Sequence, residues 1–240
     1  MTARRTLAVA LLLVAGSAWA GDAPPRIDPS EVAYTYGVGG FVPDYEPPAP
    51  GTYALPPIDT VEDHPLLDAD GRATSLFQVT ADRLAIVAFV YTTCVETAGC
   101  PASMALLHRL DGALAGDPTL AAAVRLVAIS FDPERDTPAR LTTVRRVHQP
   151  ATDWLFATTR DEATLAPLLA DFDQPVAKLR FADGRWTGLF RHVLKVFLVD
   201  RAHRVRNVYS AGFLHPALVL NDARTVLGET TTAFNPAAPR

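Results

Sequence analysis

The sequence predicts an α/β fold: a mixed β-sheet flanked by helices, preceded by a proline-rich N-terminal arm. Three observations carry that expectation. Leu84 to Tyr91 and Val124 to Phe131 are nearly continuous apolar runs, the pattern of strands buried on both faces. Each is followed by a helical pattern that opens on proline, at Pro101 and at Pro138. The composition, 49% hydrophobic and 20% charged over 240 residues, excludes a disordered chain and leaves room for one large core.

The elements follow in order. Leu66-Leu67 and Leu76-Phe77 flank Asp68-Ala69-Asp70-Gly71, a turn signal in which Gly supplies φ > 0. After the strand at Leu84, apolar spacing through Leu106, Leu107, Leu110 and Leu114 predicts a helix beginning at Pro101. Thr137-Pro138 reads as an N-cap with proline at the first helical position, and that helix ends before Pro150. Trp154 to Ala157 is a short strand and Asp161 to Asp171 a helix. Val193 to Val199 and Val205 to Tyr209 flank a charged turn at Asp200 to Arg204 and form a hairpin, with His192 at its start. Pro216 to Leu227 is a closing helix. A thioredoxin-like arrangement satisfies this order.

Arg4 and Arg5, the apolar run Leu7 to Val14 and the small residues of Ala18-Trp19-Ala20 read as a signal peptide over residues 1–20. The run is too short to span a bilayer, which takes about 20 residues; a retained membrane anchor is the alternative. Without Arg4 and Arg5, 20 basic side chains face 26 acidic ones, a net charge of −6. That sign argues against nucleic acid as a partner. Nine prolines between Pro24 and Pro57 mark residues 21–57 as an extended arm, and Tyr34, Tyr36, Phe41, Tyr45 and Tyr53 suggest that it lies against a folded surface. The domain proper spans 58–228, with a tail at 229–240. The protein is expected in the periplasm, where a cysteine pair can be oxidised.

The chain has two cysteines, Cys94 and Cys100, in Tyr91-Thr92-Thr93-Cys94-Val95-Glu96-Thr97-Ala98-Gly99-Cys100-Pro101. The helix start at Pro101 turns unpaired N–H groups toward them, which favours thiolate. Thiolates there can bind a soft metal or exchange disulfides, and a structural disulfide closing a short loop is a third reading. Spacing alone does not separate these.

Phe89-Val90-Tyr91-Thr92-Thr93-Cys94, Cys100-Pro101, Ser130-Phe131-Asp132-Pro133-Glu134-Arg135-Asp136-Thr137-Pro138 and Arg191-His192-Val193 resemble the Sco/SenC family over roughly Pro56 to Leu227. These are copper-binding, thioredoxin-fold proteins that assist assembly of the copper centre of cytochrome c oxidase. The resemblance implies that Cys94, Cys100 and His192 are copper ligands, that the cofactor is copper, and that Asp132 orients a ligand from behind. It implies a copper chaperone for cytochrome c oxidase or a related respiratory protein; the alternative is a thiol–disulfide oxidoreductase acting through Cys94 and Cys100. The family places three residues between its cysteines and this chain has five, which puts Glu96 beside the site. His64, His108, His148, His203 and His215 match no family position. Between Lys178 and Arg206, Lys178, Arg180, Arg185, Arg191, Lys195, Arg201, Arg204 and Arg206 face only Asp183 and Asp200, a local +6. That surplus is a candidate docking patch for an acidic partner, with Trp186 and Phe190 as anchors.

The cleavage rule predicts Gly21 as the mature N-terminus. N-terminal sequencing of exported protein should begin at Gly21; finding Met1 retained would contradict the soluble periplasmic assignment.

Overall fold

A computed structural model describes residues 45–94 and 99–233. The expected signal peptide, residues 21–44 of the arm, Glu96 and the last seven residues lie outside them. Two short strands open the domain, β1 (Asp59–Thr60) and β2 (Pro65–Asp68), followed by β3 (Ala73–Ser75) and α1 (Leu76–Thr80). Next come β4 (Leu84–Val90), α2 (Cys100–Ala115), α3 (Pro118–Ala123), β5 (Val124–Ser130), α4 (Pro138–His148), β6 (Trp154–Thr158) and α5 (Glu162–Asp171). The chain finishes with β7 (Val176–Arg180), β8 (Trp186–His192), β9 (Val196–Val199), β10 (Arg204–Tyr209) and α6 (Pro216–Ala233).

Eight strands form one mixed sheet in the order β1-β10-β9-β4-β5-β6-β2-β3. The centre is parallel, with Val87 opposite Val127 and Val127 opposite Leu155. On its other edge β4 pairs antiparallel with β9, Val87 facing Phe197. Every residue of β4 is buried, which explains its unbroken apolar run: helices and neighbouring strands leave it no solvent face. This is the thioredoxin-like arrangement of strands and flanking helices.

Local chemistry sets the boundaries. Thr137 caps α4, its hydroxyl accepting from the Arg140 N–H, and Pro138 opens the helix. Gln149 ends it in the left-handed region, φ 47°, donating to the Arg145 carbonyl at 3.0 Å. Asp161 caps α5 through the Thr164 N–H at 2.7 Å. In the β9–β10 turn Asp200 accepts from the Ala202 and Arg204 N–H groups at 2.9 and 3.1 Å.

Residues 45–57 lie on the domain, as their tyrosines suggested. The Gly51 N–H donates to Thr225 Oγ1 at 2.9 Å, the Tyr53 hydroxyl to Asp222, and Asn221 Nδ2 to the Pro48 carbonyl at 3.0 Å.

Leu76 and Phe77, beyond the Asp68–Gly71 turn, belong to α1, which Ser75 caps through the Gln78 N–H. One expectation needs correction. His192 does not begin the strand that runs into the β9–β10 hairpin. It ends β8, which pairs only with β7 in a separate two-stranded sheet. The Asp183-Gly184 turn between them, with Gly184 at φ 84°, makes that hairpin.

Candidate metal centre

Where β4 ends, Tyr91 turns the chain, and the Cys94 N–H donates back to the Tyr91 carbonyl at 3.3 Å. Cys100 is the first residue of α2, after Gly99, and its Sγ accepts from the Tyr91 N–H at 3.4 Å. The strand end and the helix start therefore hold the two cysteines over one spot. His192, at the end of β8, completes it: Cys100 Sγ and His192 Nε2 are 3.8 Å apart, and one donor atom from each of Cys94, Cys100 and His192 lies within 4.8 Å of the others. Three donors around one first-row metal, at bond lengths of about 2.0–2.3 Å, stand roughly 3.7 Å apart when arranged in a triangle. The spacing fits a single ion after a small adjustment.

Cys100 is buried and Cys94 and His192 are half-buried. Burial pushes the Cys100 thiol well above its ordinary range; the Tyr91 N–H pulls the other way, and neighbouring Cys94 adds to the rise. The expected help to the thiolate from the helix start is thus outweighed at Cys100 by desolvation. A bound cation reverses this balance, because it takes the place of the thiol protons. The His192 ring sits in an aromatic box: Tyr91 meets it edge-on at 5.9 Å between centroids and Phe131 at 5.1 Å, while Phe190 packs on both of those rings.

The SCO1/SenC family model matches residues 54–228. The chain belongs to the SCO1/SenC family. Solved structures agree on the fold. One is ScoI of Bradyrhizobium japonicum with copper bound (23% identity, TM-score 0.55, covering 68% of this chain and 97% of that one). Another is a SCO1/SenC family lipoprotein from Bacillus anthracis (19%, TM-score 0.61, 73% and 99%). A third is BsSco, a member of the Sco family of cytochrome c oxidase assembly proteins in which a disulfide switch has been identified (21%, TM-score 0.55, 72% and 97%). No curated protein sequence matches the chain.

In this SCO1/SenC chain the loop after β5 holds both halves of the site. Asp136, fully buried, accepts from the Thr92 N–H at 2.9 Å, from the Thr92 hydroxyl, and from the Ser130 hydroxyl at 2.6 Å. It thereby fixes the turn that carries Cys94. Asp132, expected to orient a ligand, accepts from the Arg135 guanidinium; burial raises its pKa and Arg135 opposes the rise. Arg135 in turn donates to the Gly188 carbonyl at 2.9 Å and stacks 4.2 Å over Trp186. Gln174 donates to the Val193 carbonyl at 2.8 Å, pinning the other end of the hairpin that presents His192. Sequence reasoning missed Asp136, Arg135 and Gln174 as supports. The Asp-x-x-x-Asp spacing after a buried strand was the available signal.

The basic segment is less uniform than its sequence. Lys178 pairs with Glu134 and Glu162, Arg185 with Asp183, and Lys195 with Asp173. Arg204 and Arg206 share Asp200, and Arg206 is buried against Glu229 and the Leu55 carbonyl, so it is an internal strut. Phe190 is buried, and Trp186 is half-buried with Arg135 and Lys178 over its ring. Arg180 and Arg191 have no ion-pair partner among the described residues, and Leu179, Phe181, Leu189 and Val193 are exposed apolar side chains near them in the chain.

Replacing Asp136 with Asn keeps its size but opposes one donor with another. Asp136→Asn should cost about 1–3 kcal/mol, lower Tm, and move the amide resonances of Thr92 to Cys94. An unchanged Tm with unmoved resonances would contradict the supporting role of Asp136.

Proposed function

We propose that this chain binds one copper ion through Cys94, Cys100 and His192 and delivers it to a respiratory copper protein such as cytochrome c oxidase. The observation that carries the reading is the convergence of two sulfurs and one imidazole nitrogen within 4.8 Å. Two thiolates and an imidazole suit Cu(I), and soft sulfur donors discriminate against hard cations. Membership of the SCO1/SenC family and the copper bound in the Bradyrhizobium relative support the choice of metal.

The chain's own residues supply three things. Cys94 and Cys100 lose their protons to solvent as the ion binds. The Tyr91–Phe131–Phe190 box keeps water off one side of His192 and holds its ring. Half-burial leaves Cys94 reachable from outside, as handover to an acceptor requires. The proposed setting is the periplasm, after loss of residues 1–20; a chain that keeps them would be membrane-anchored. Among the described residues no helix is long and apolar enough to cross a membrane. The proposed docking surface for an acidic partner is the exposed part of the β7–β8 hairpin that carries Arg180 and Arg191.

The thiol pair favours a second reading. Closing the sulfurs to about 2.05 Å makes a disulfide, with two electrons and two protons passing to a disulfide of the acceptor. BsSco, with its disulfide switch, shares this fold.

Anaerobic Cu(I) titration against a chromophoric chelator separates the two. The reduced protein should take one copper at this centre and the oxidised protein none there, since a disulfide offers no thiolate. His192→Ala should weaken binding about 10-fold or more, by analogy with the 10–100-fold losses from disturbing a metal's supporting residues. Wild type that binds no copper at its cysteines yet exchanges disulfides rapidly with a partner would replace the chaperone reading with the reductase.

A further inference from the structure

The groove that opens beside Cys94 and Cys100 has another end. It encloses about 540 Å³ between α2 and α4, over Val90, Ala128 and Phe156. Most of its lining is apolar, yet Met104, His108 and His148 also line it. Met104 and His108 stand four residues apart on α2 and so share one helix face. His148 is the last residue of α4, across the groove.

The two imidazoles are close. Their ring centroids are 6.0 Å apart and their planes cross at 69°. Nitrogens bound at about 2.0–2.1 Å on opposite sides of one ion would put the ring centroids at most about 6.4 Å apart, so the ring separation matches that of two imidazoles on one ion once their nitrogens turn toward it. Burial, with His108 adding to the effect, holds the His148 pKa below its ordinary value, which keeps its lone pair available at neutral pH. The cluster also packs: His148 lies 5.5 Å from Trp154 and 6.1 Å from Phe156. Phe or Tyr would fill that space equally well. What these residues add is a set of soft and borderline donors in a groove whose remaining lining is mainly apolar, with Thr92, Arg140 and Thr143 among its other polar side chains.

We propose that His108 and His148, with the Met104 thioether one turn nearer the cysteines, form a second and weaker Cu(I) site at the outer end of this groove, from which the ion moves inward to Cys94 and Cys100. Affinity sets the direction. Imidazole and thioether hold Cu(I) less tightly than a pair of thiolates, so the ion leaves the outer donors as the two thiols release their protons to solvent. The inward transfer rests on the copper reading of the Cys94–Cys100–His192 centre; the outer site does not.

The test removes the inner site and asks whether copper still binds. Full-length protein carrying Cys94→Ser and Cys100→Ser is titrated anaerobically with Cu(I) from a weak chelator, while histidine ring resonances are followed by NMR. One Cu(I) per chain should bind, shifting the ring protons of His108 and His148. Adding His108→Ala or His148→Ala should weaken that binding about 10-fold or more, within the range seen when metal sites are disturbed. His108 is exposed, so its substitution carries the test even if the His148 variant unfolds. With the cysteines intact, His108→Ala should slow loading of the inner centre from the chelator. No binding to the double serine protein, or binding that leaves both rings unshifted, would overturn the outer site. Copper held by the double serine protein, beside wild type whose cysteines take none, would keep the outer site and remove the copper reading of the inner one.

Discussion

One buried carboxylate ties the metal centre to the sheet. Asp136 accepts from the Thr92 backbone, the Thr92 hydroxyl and the Ser130 hydroxyl, so the turn before Cys94 is fastened to the end of β5. One residue earlier, Arg135 reaches the other way, to the Gly188 carbonyl and the face of Trp186 on the hairpin that ends in His192. The loop of residues 131–137 therefore sets the separation between the cysteine turn and the histidine strand, which come from distant parts of the sequence. Charged groups bonded in this way are stabilising only while every partner is present; removing one leaves the full desolvation cost of the others.

Around that frame the donors themselves are kept in apolar surroundings. Cys100 opens a helix yet has a raised pKa, because burial outweighs the helix end. The consequence at Cys100 is a thiol that burial favours over the thiolate, so that metal binding there is coupled to proton release. The aromatic box around His192 acts in the same direction by restricting water and ring rotation.

Much of this was legible in the sequence, for identifiable reasons. Buried parallel strands must be apolar on both faces, so β4 and β5 announced themselves, and proline after Cys100 and Thr137 marked two helix starts. The cysteines sat at a junction that chemistry alone singles out. His192 carried no local signal and was found only through the family pattern. The β7–β8 hairpin was overlooked because its inward side carries Lys178, Trp186 and Phe190, and an irregularity between Lys178 and Arg180 breaks the alternation. Counting charge along the chain overstated the basic patch, since Glu134, Glu162 and Glu229 neutralise it from other elements. Which of two aspartates in one loop would face Thr92 depends on the closure of the sheet, and no local pattern encodes it.

The account stands on one claim: that Cys94, Cys100 and His192 act together on a single ion. X-ray absorption at the copper edge of reduced protein loaded with one equivalent of Cu(I) tests it most directly. Two sulfur neighbours and one imidazole in the wild type, with the imidazole contribution lost in His192→Ala and the sulfurs retained, is the predicted result. A wild-type spectrum with only nitrogen and oxygen neighbours, or one that His192→Ala leaves unchanged, would contradict it.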